Sequence, residues 1–302
     1  FKKIKRLCSS FRKIYKQSKT IFIVIGNYEK NKYFSSQINP ANANRKFILM
    51  KNILVITSGK GGVGKTCTAV NLGAAINHFG KDVLIIDANL STPNVGLHLN
   101  SLEVPRSLNH VLLKKVEPLD AVYEHKSGIK IMPSSISVKE LGRIAPEKLN
   151  DFKREFQKLA DYIIVDSAAG LGHEAVSAIK LADEVIIITN PEMPAITDAL
   201  KTIKLAEQMK KYVRGVIITR VRNDKIELQS DAVKEILETP IMGMIPEDVS
   251  VRESINLKDA VVHTHPHSKS ALAYKEIAAQ IINIKYDSDK DKLSWWRRVI
   301  SW

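Results

Sequence analysis

Cysteine is nearly absent from this chain of 302 residues, which holds only Cys8 and Cys67. The two residues lie far apart in sequence, so their spacing indicates neither a disulfide framework nor a Cys-x-x-Cys metal or cluster site. Long apolar runs are also missing. The short run at residues 21–25 lacks the length of a membrane-spanning helix and the cleavage-site context of a signal peptide. We therefore expect a protein of the reducing cytoplasm, free or attached to a membrane surface.

Acidic residues are scarce at the start of the chain, where residues 1–49 hold twelve Lys or Arg against Glu29 alone. This segment carries most of the net charge of +14, because residues 50–302 hold 34 Lys or Arg against 31 acidic residues. The nearly neutral body argues against nucleic acid as a partner. We interpret residues 1–49 as a basic leader that is disordered or translated upstream of a start at Met50; a functional basic arm is the alternative.

From residue 50 to 284, short β-branched runs alternate with amphipathic stretches. The runs cover residues 53–57, 83–87, 129–132, 162–166, 184–189, 213–219 and 241–245. Runs that are apolar on both faces, such as 162–166 and 184–189, suit central parallel strands covered by helices. The pattern predicts an α/β fold with a doubly wound, mostly parallel sheet, and it predicts ligands beyond the carboxyl ends of the strands.

A glycine-rich turn, Gly-Lys-Gly-Gly-Val-Gly-Lys-Thr at residues 59–66, lies between the first predicted strand and a predicted helix at 65–79. Such a turn directs backbone N–H groups and a helix N-terminus at one point, where phosphate oxygens are favoured. Lys65 can neutralise the β- and γ-phosphates, and the Thr66 hydroxyl can bind Mg²⁺. The predicted ligand is therefore ATP with Mg²⁺. The candidate binding residues here are Gly59, Lys60, Gly61, Gly62, Val63, Gly64, Lys65, Thr66 and Cys67.

Two aspartates end predicted strands, Asp87 after Val-Leu-Ile-Ile and Asp166 after Tyr-Ile-Ile-Val. Both are expected to point at the nucleotide. Asp166 is the candidate for holding Mg²⁺ through water, together with Thr66, and Asp87 could orient or activate the attacking water. The alternative is that either aspartate forms a turn or caps a helix.

Lys60 adds a second lysine at the start of the phosphate loop, and the loop with it resembles the deviant Walker A motif of the MinD/ParA family of dimerising ATPases. Further blocks at residues 166–172, 189–204, 215–220 and 245–254 are similar to MinD, particularly its archaeal branch. The resemblance covers about residues 50–284. It implies a P-loop ATPase domain over that range, followed by a charged linker at 285–292.

The resemblance also implies a switch in which ATP binding closes a homodimer and hydrolysis reopens it. Lys60 would then reach the partner's phosphates and would act in catalysis with Lys65 and Asp87. Family likeness places Asn190 and the loop at Pro246 beside the adenine. Without the family pattern, an exposed loop lysine is usually solvated, and an Asn before Pro is an ordinary turn signal.

One position departs from the family pattern, because Asn89 stands where the family usually carries a second aspartate. An asparagine can position a water by hydrogen bonding, but it can neither accept a proton nor carry negative charge. We therefore predict slow hydrolysis with ATP binding retained.

The last ten residues, 293–302, form an amphipathic pattern when they are projected as a helix. One half of the surface is apolar and includes three tryptophans, whereas the other half carries Arg297 and Arg298. This composition suits the interface of an anionic membrane and resembles the membrane-targeting tail of many MinD proteins. The alternative is docking on this protein or a partner. A helix this short is marginal in water, so stable attachment would need the two tails of an ATP-bound dimer.

The leading hypothesis is a MinD-like ATPase on the inner face of the cell membrane, where it positions cell division or another surface assembly through an unidentified activator or cargo protein. A ParA-like DNA-partitioning ATPase is a second possibility, and a nucleotide-binding scaffold with little hydrolysis is a third. An iron–sulfur carrier on the same fold is disfavoured because no cysteine pair follows the switch regions.

Overall fold

The computed structural model describes residues 52–101, 104–137, 144–222, 227–228 and 230–287. The predictions for the leader at 1–49 and the tail at 293–302 lie outside these ranges, as does most of the linker at 285–292. None of the helices within the described ranges is long and apolar enough to cross a membrane.

A single eight-stranded sheet runs through the described body. Its strands are β1 (Asn52–Ser58), β2 (Val83–Ala88), β3 (Tyr123–Glu124), β4 (Lys130–Met132), β5 (Tyr162–Ala169), β6 (Glu184–Thr189), β7 (Tyr212–Val221) and β8 (Ile241–Pro246). The strand order is β3-β4-β2-β5-β1-β6-β7-β8, and all neighbours are parallel except β3 and β4. The predicted doubly wound, mostly parallel sheet is confirmed. The two-residue strand β3 was not predicted, because it is too short to show a pattern.

Ten α-helices flank this sheet within the described ranges. They are α1 (Lys65–His78), α2 (Val95–His98), α3 (Leu108–Leu112), α4 (Lys153–Phe156), α5 (His173–Leu181), α6 (Met193–Gln208), α7 (Ser230–Leu237), α8 (Val249–Asn256), α9 (Val261–Thr264) and α10 (Lys269–Ile281). Two 3₁₀ helices, Pro118–Ala121 and Pro146–Phe152, complete the connections.

The core has two halves, one on each face of the sheet. Successive residues of β1 alternate between them: Ile53 and Val55 belong to the cluster formed with α5 and α6, and Leu54 and Ile56 belong to the one formed with α1 and α10. All four side chains are fully buried. Burial on both faces explains why the central strands are continuous apolar runs rather than alternating ones.

Strand β1 lies at the point where the chain reverses its direction of travel across the sheet. The chain passes from β1 to β2 on one side, and it later adds β6, β7 and β8 on the other side. The loops after β1, β2, β5 and β6 therefore meet beyond the carboxyl ends of neighbouring strands. In doubly wound sheets this switch point is where ligands bind.

Candidate nucleotide-binding site

The loop between β1 and α1 has the backbone form that a phosphate cradle needs. Gly62 and Gly64 have φ angles of 78° and 90°, in the left-handed region that favours glycine. Helix α1 begins immediately afterwards, where the Thr68 N–H donates to the Gly64 carbonyl at 2.8 Å. Val63 is buried, whereas Lys60 is exposed at the tip of the loop. The N–H groups of the first turn of α1 thus point toward the loop, an arrangement that attracts anions.

Gly59 lies in close contact with the backbone of helix α6. A Cβ at position 59 would lie 2.2 Å from the carbonyl oxygen of Asp198. Only glycine fits such an approach, so the residue sets how the start of the loop lies against α6.

Thr66 and Asp166 meet although 100 positions separate them in sequence. The Thr66 hydroxyl donates to Asp166 Oδ2 at 2.6 Å, while the buried Oδ1 has no hydrogen-bond partner in the part of the chain that the structure describes. A buried carboxylate oxygen without a partner beside a hydroxyl suits Mg²⁺ or one of its waters, so the donor set fits this ion. Burial raises the pKa of Asp166, and the Thr66 hydrogen bond and the Lys65 charge oppose the rise.

Lys65 is almost fully buried at the start of α1. Burial lowers its pKa, and the nearby Asp166 partly offsets that effect. A buried cation at a helix N-terminus is destabilised unless negative charge lies close by. A bound phosphate would supply such charge, so the position of Lys65 suits the predicted ligand.

Asp87 pairs in register with Asp166 on the neighbouring strand, and both side chains are completely buried. Its Oδ2 accepts the N–H groups of Asn94 and Val95 at 2.9 Å each, and its Oδ1 accepts the N–H of Asn89 at 3.2 Å. Burial, and then the charge of Asp166, raises the pKa of Asp87, whereas the three backbone bonds oppose the rise. Three backbone donors fix the orientation of this carboxylate beside Asp166, the candidate ligand of Mg²⁺.

The loop after β2, residues 89–94, is closed by the side chain of Asn89. Its Nδ2 donates to the Thr92 carbonyl at 2.6 Å, and its Oδ1 accepts the Thr92 hydroxyl at 3.1 Å. Ser91 in the same loop donates from its hydroxyl and its N–H to the carboxylate of Glu174. Sequence reasoning did not select Glu174, because no motif or spacing connects it to this loop.

Asn190 is connected to the phosphate loop through Thr219 at the end of β7. The Thr219 hydroxyl lies 2.6 Å from the Val63 carbonyl and 2.9 Å from Asn190 Oδ1. Two open cavities flank Arg220, the next residue, which has a left-handed φ of 56°. One, of about 430 Å³, is lined by Asn190, and the other, of about 340 Å³, is lined by Gly64, Cys67 and Pro246.

Cys67 is partly buried, and its thiol is not activated. Its Sγ lies 3.9 Å from the Tyr274 hydroxyl and 3.4 Å from Asn71 Nδ2. Burial raises the pKa of the thiol, so the helix N-terminus does not make it a thiolate. Cys67 is one of the residues that line the second cavity.

The fold and this loop together define a P-loop nucleotide-binding protein on a doubly wound parallel sheet. Residues 54–261 match the family model "CobQ/CobB/MinD/ParA nucleotide binding domain", and the chain belongs to this family of ATPases. An uncharacterized ATP-binding protein of Methanocaldococcus jannaschii is 38% identical over 244 residues, which cover 81% of this chain and 92% of that protein.

Two solved structures of MinD proteins are similar to this chain. The septum site-determining protein MinD of Pyrococcus horikoshii, complexed with Mg-ADP, is 30% identical with a TM-score of 0.73, and the match covers 76% of this chain and 95% of that one. The MinC:MinD cell division protein complex of Aquifex aeolicus matches at 30% identity and a TM-score of 0.71, over 78% of this chain and 97% of that one. The similarity to MinD that the sequence blocks suggested is confirmed.

Proposed function

We propose that this chain binds Mg·ATP at residues 59–67, closes into a homodimer when ATP is bound, and hydrolyses ATP slowly. The observation that carries the proposal is the meeting of Thr66 with Asp166 beside the phosphate loop, where one buried carboxylate oxygen is left for Mg²⁺ or its water. When bound, Mg²⁺ would neutralise phosphate charge as it develops in the reaction.

The remaining residues of the site take roles that follow from their positions. Lys65 binds the β- and γ-phosphates, and Asp87 orients the attacking water from a buried, backbone-fixed position. Lys60 reaches the phosphates bound by the partner subunit, a role that its exposure at the loop tip permits. Asn190 and the loop at Pro246 hold the adenine in the cavities beside Arg220.

Sedimentation of the whole chain with Mg²⁺ and either ATP or ADP tests the dimer. We expect a dimer with ATP alone. Lys60→Ala should bind ATP as a monomer, whereas Lys65→Ala should lose ATP binding itself. A Lys60→Ala variant that still dimerises with ATP would remove the role assigned to this residue.

We propose that the protein associates with the inner face of the cell membrane through residues 293–302. There it would position cell division or another surface assembly. Co-sedimentation with anionic vesicles tests this, with the whole chain compared with one ending at Lys292. A chain starting at Met50 is the matched control, since the +11 leader can bind anionic lipid by itself. Pelleting that needs both ATP and the tail supports the membrane switch; pelleting that needs only the leader contradicts it.

A scaffold that binds ATP with almost no hydrolysis is the second candidate, and one observation favours it. Both polar atoms of the Asn89 side chain are engaged by Thr92, so the residue that replaces the family's aspartate is occupied within its own loop. Single-turnover assays separate the two functions. ADP that accumulates over minutes to hours identifies a slow ATPase, and intact bound ATP after that time identifies the scaffold.

A further inference from the structure

The loop at residues 89–94 is fastened to a helix from a distant part of the chain. The Ser91 N–H donates to Glu174 Oε2 at 3.3 Å, and the Ser91 hydroxyl donates to Glu174 Oε1. Glu174 belongs to the first turn of α5 and lies 83 positions from Ser91 in sequence. One carboxylate therefore binds two donors of one loop residue, which fixes the loop in both position and orientation.

The same loop supplies the donors that orient Asp87. The N–H groups of Asn94 and Val95 both donate to Asp87 Oδ2, and that of Asn89 donates to Oδ1. The Asn89 side chain donates to the Thr92 carbonyl and so links the start of the loop to its middle. A shift at Ser91 is therefore transmitted to the backbone groups that hold Asp87.

We propose that Glu174 is a positioning residue for Asp87, which it holds in place through Ser91 and the loop at residues 89–94. The inference rests on the proposed hydrolysis, in which Asp87 orients the attacking water. Glu174 acts on this loop and not on the phosphate loop or Thr66. Its loss should therefore lower turnover while ATP affinity is retained, since an orienting contact contributes chiefly to the transition state.

The test combines amide hydrogen exchange with steady-state turnover on the full chain. The variants are Glu174→Ala, Glu174→Gln, Ser91→Ala and the double variant Ser91→Ala/Glu174→Ala. Glu147→Ala is the matched control, because this carboxylate lies at the same end of α5, 3.5 Å from His173, on the 3₁₀ helix Pro146–Phe152. ATP affinity is measured separately with a fluorescent ATP analogue.

In Glu174→Ala, amide exchange across residues 91–95 should rise by about fivefold, and kcat should fall by about three- to tenfold with KM and ATP affinity within about twofold of the wild type. Glu174→Gln should be intermediate, since its neutral amide oxygen accepts more weakly than a carboxylate oxygen and its NH2 group cannot accept a bond. Ser91→Ala keeps the N–H bond and should have the smaller effect. The double variant should match Glu174→Ala, because the bond that Ser91→Ala removes is already absent in Glu174→Ala.

Three results would overturn the proposal. They are unchanged exchange across residues 91–95 in Glu174→Ala, a double variant whose effects add, and an equal loss in Glu147→Ala. A wild-type chain that binds ATP without forming ADP would contradict the proposed hydrolysis instead. Turnover could then not be compared, and the amide exchange data would be the test of whether Glu174 holds the loop and Asp87.

Discussion

Replacing Gly59 by alanine tests how the phosphate loop is positioned. The added Cβ would lie 2.2 Å from the carbonyl oxygen of Asp198 and 2.4 Å from its carbonyl carbon. Both atoms belong to the backbone of α6, so no side-chain rotation relieves the contact. Either α6 or the start of the loop must move by about 1 Å to restore van der Waals separation.

Overpacking of this kind costs about 1–3 kcal/mol when side chains can adjust, and we expect about 2–4 kcal/mol where backbone opposes backbone. Gly61 provides a control in the same loop, because a Cβ there meets nothing within 4 Å and its φ is not in the left-handed region. The free energy of unfolding of Gly61→Ala should remain within about 0.5 kcal/mol of the wild type.

Urea unfolding of the whole chain without nucleotide measures both variants. The midpoint of Gly59→Ala should fall with an unchanged m-value, and its Tm should drop by about 4–16 °C, at about 2–4 °C per kcal/mol for a domain of this size. ATP affinity should fall as well, because the start of the phosphate loop is displaced from its position against α6. Equal stability of Gly59→Ala and Gly61→Ala would refute the reasoning.

Three further changes test other parts of the molecule. Asn89→Asp should raise the single-turnover rate, because a carboxylate can accept the proton of the attacking water, and an unchanged rate rules this out. The pKa of His98 is lowered to about 4, chiefly by burial, so the folded state keeps this side chain neutral. Urea unfolding at a series of pH values should show the free energy of unfolding falling by about 2–4 kcal/mol between about pH 6.5 and pH 4. The variant His98→Asn should lack this loss. Arg214→Ala removes the ion pair with Glu184 and two hydrogen bonds to the last carbonyls of α10. Calorimetry should show this variant less stable than the wild type by about 1–3 kcal/mol, with Arg214→Lys between the two.

Strand positions were predictable where burial on both faces leaves a continuous apolar run. Strands β5 and β6 show this, since each contains a continuous buried run of β-branched residues, 163–165 in β5 and 185–189 in β6. Helix α1 was equally visible, because the glycine-rich turn marks its start. The end of α10 at Ile281 was not predictable, because the Arg214 side chain binds the Gln280 and Ile281 carbonyls there. An end made by a residue so far back in sequence leaves no local signal.

The residues of the candidate site also fall into those that the sequence reveals and those that it does not. The phosphate loop is contiguous, and the aspartates that end β2 and β5 follow from strand geometry, so these residues could be selected from sequence. Thr219 could not be selected, although its hydroxyl reaches the Val63 carbonyl, because the contact spans 156 positions. Glu174 is similar, since a glutamate in the first turn of a helix is commonplace. Such residues are identified only when the packing of α5 and β7 brings them to the loops.

Asn89 shows why a single departure from a family pattern has two consequences. In sequence, asparagine appears as the loss of a carboxylate. In the structure it is also the gain of a donor, because its Nδ2 binds the Thr92 carbonyl at 2.6 Å, where an aspartate oxygen would be repelled. Slow turnover and an ordered loop would then have the same cause. If so, Asn89→Asp should raise amide exchange at residues 89–94 together with the rate. A faster variant with an equally protected loop would mean that the two properties are separate.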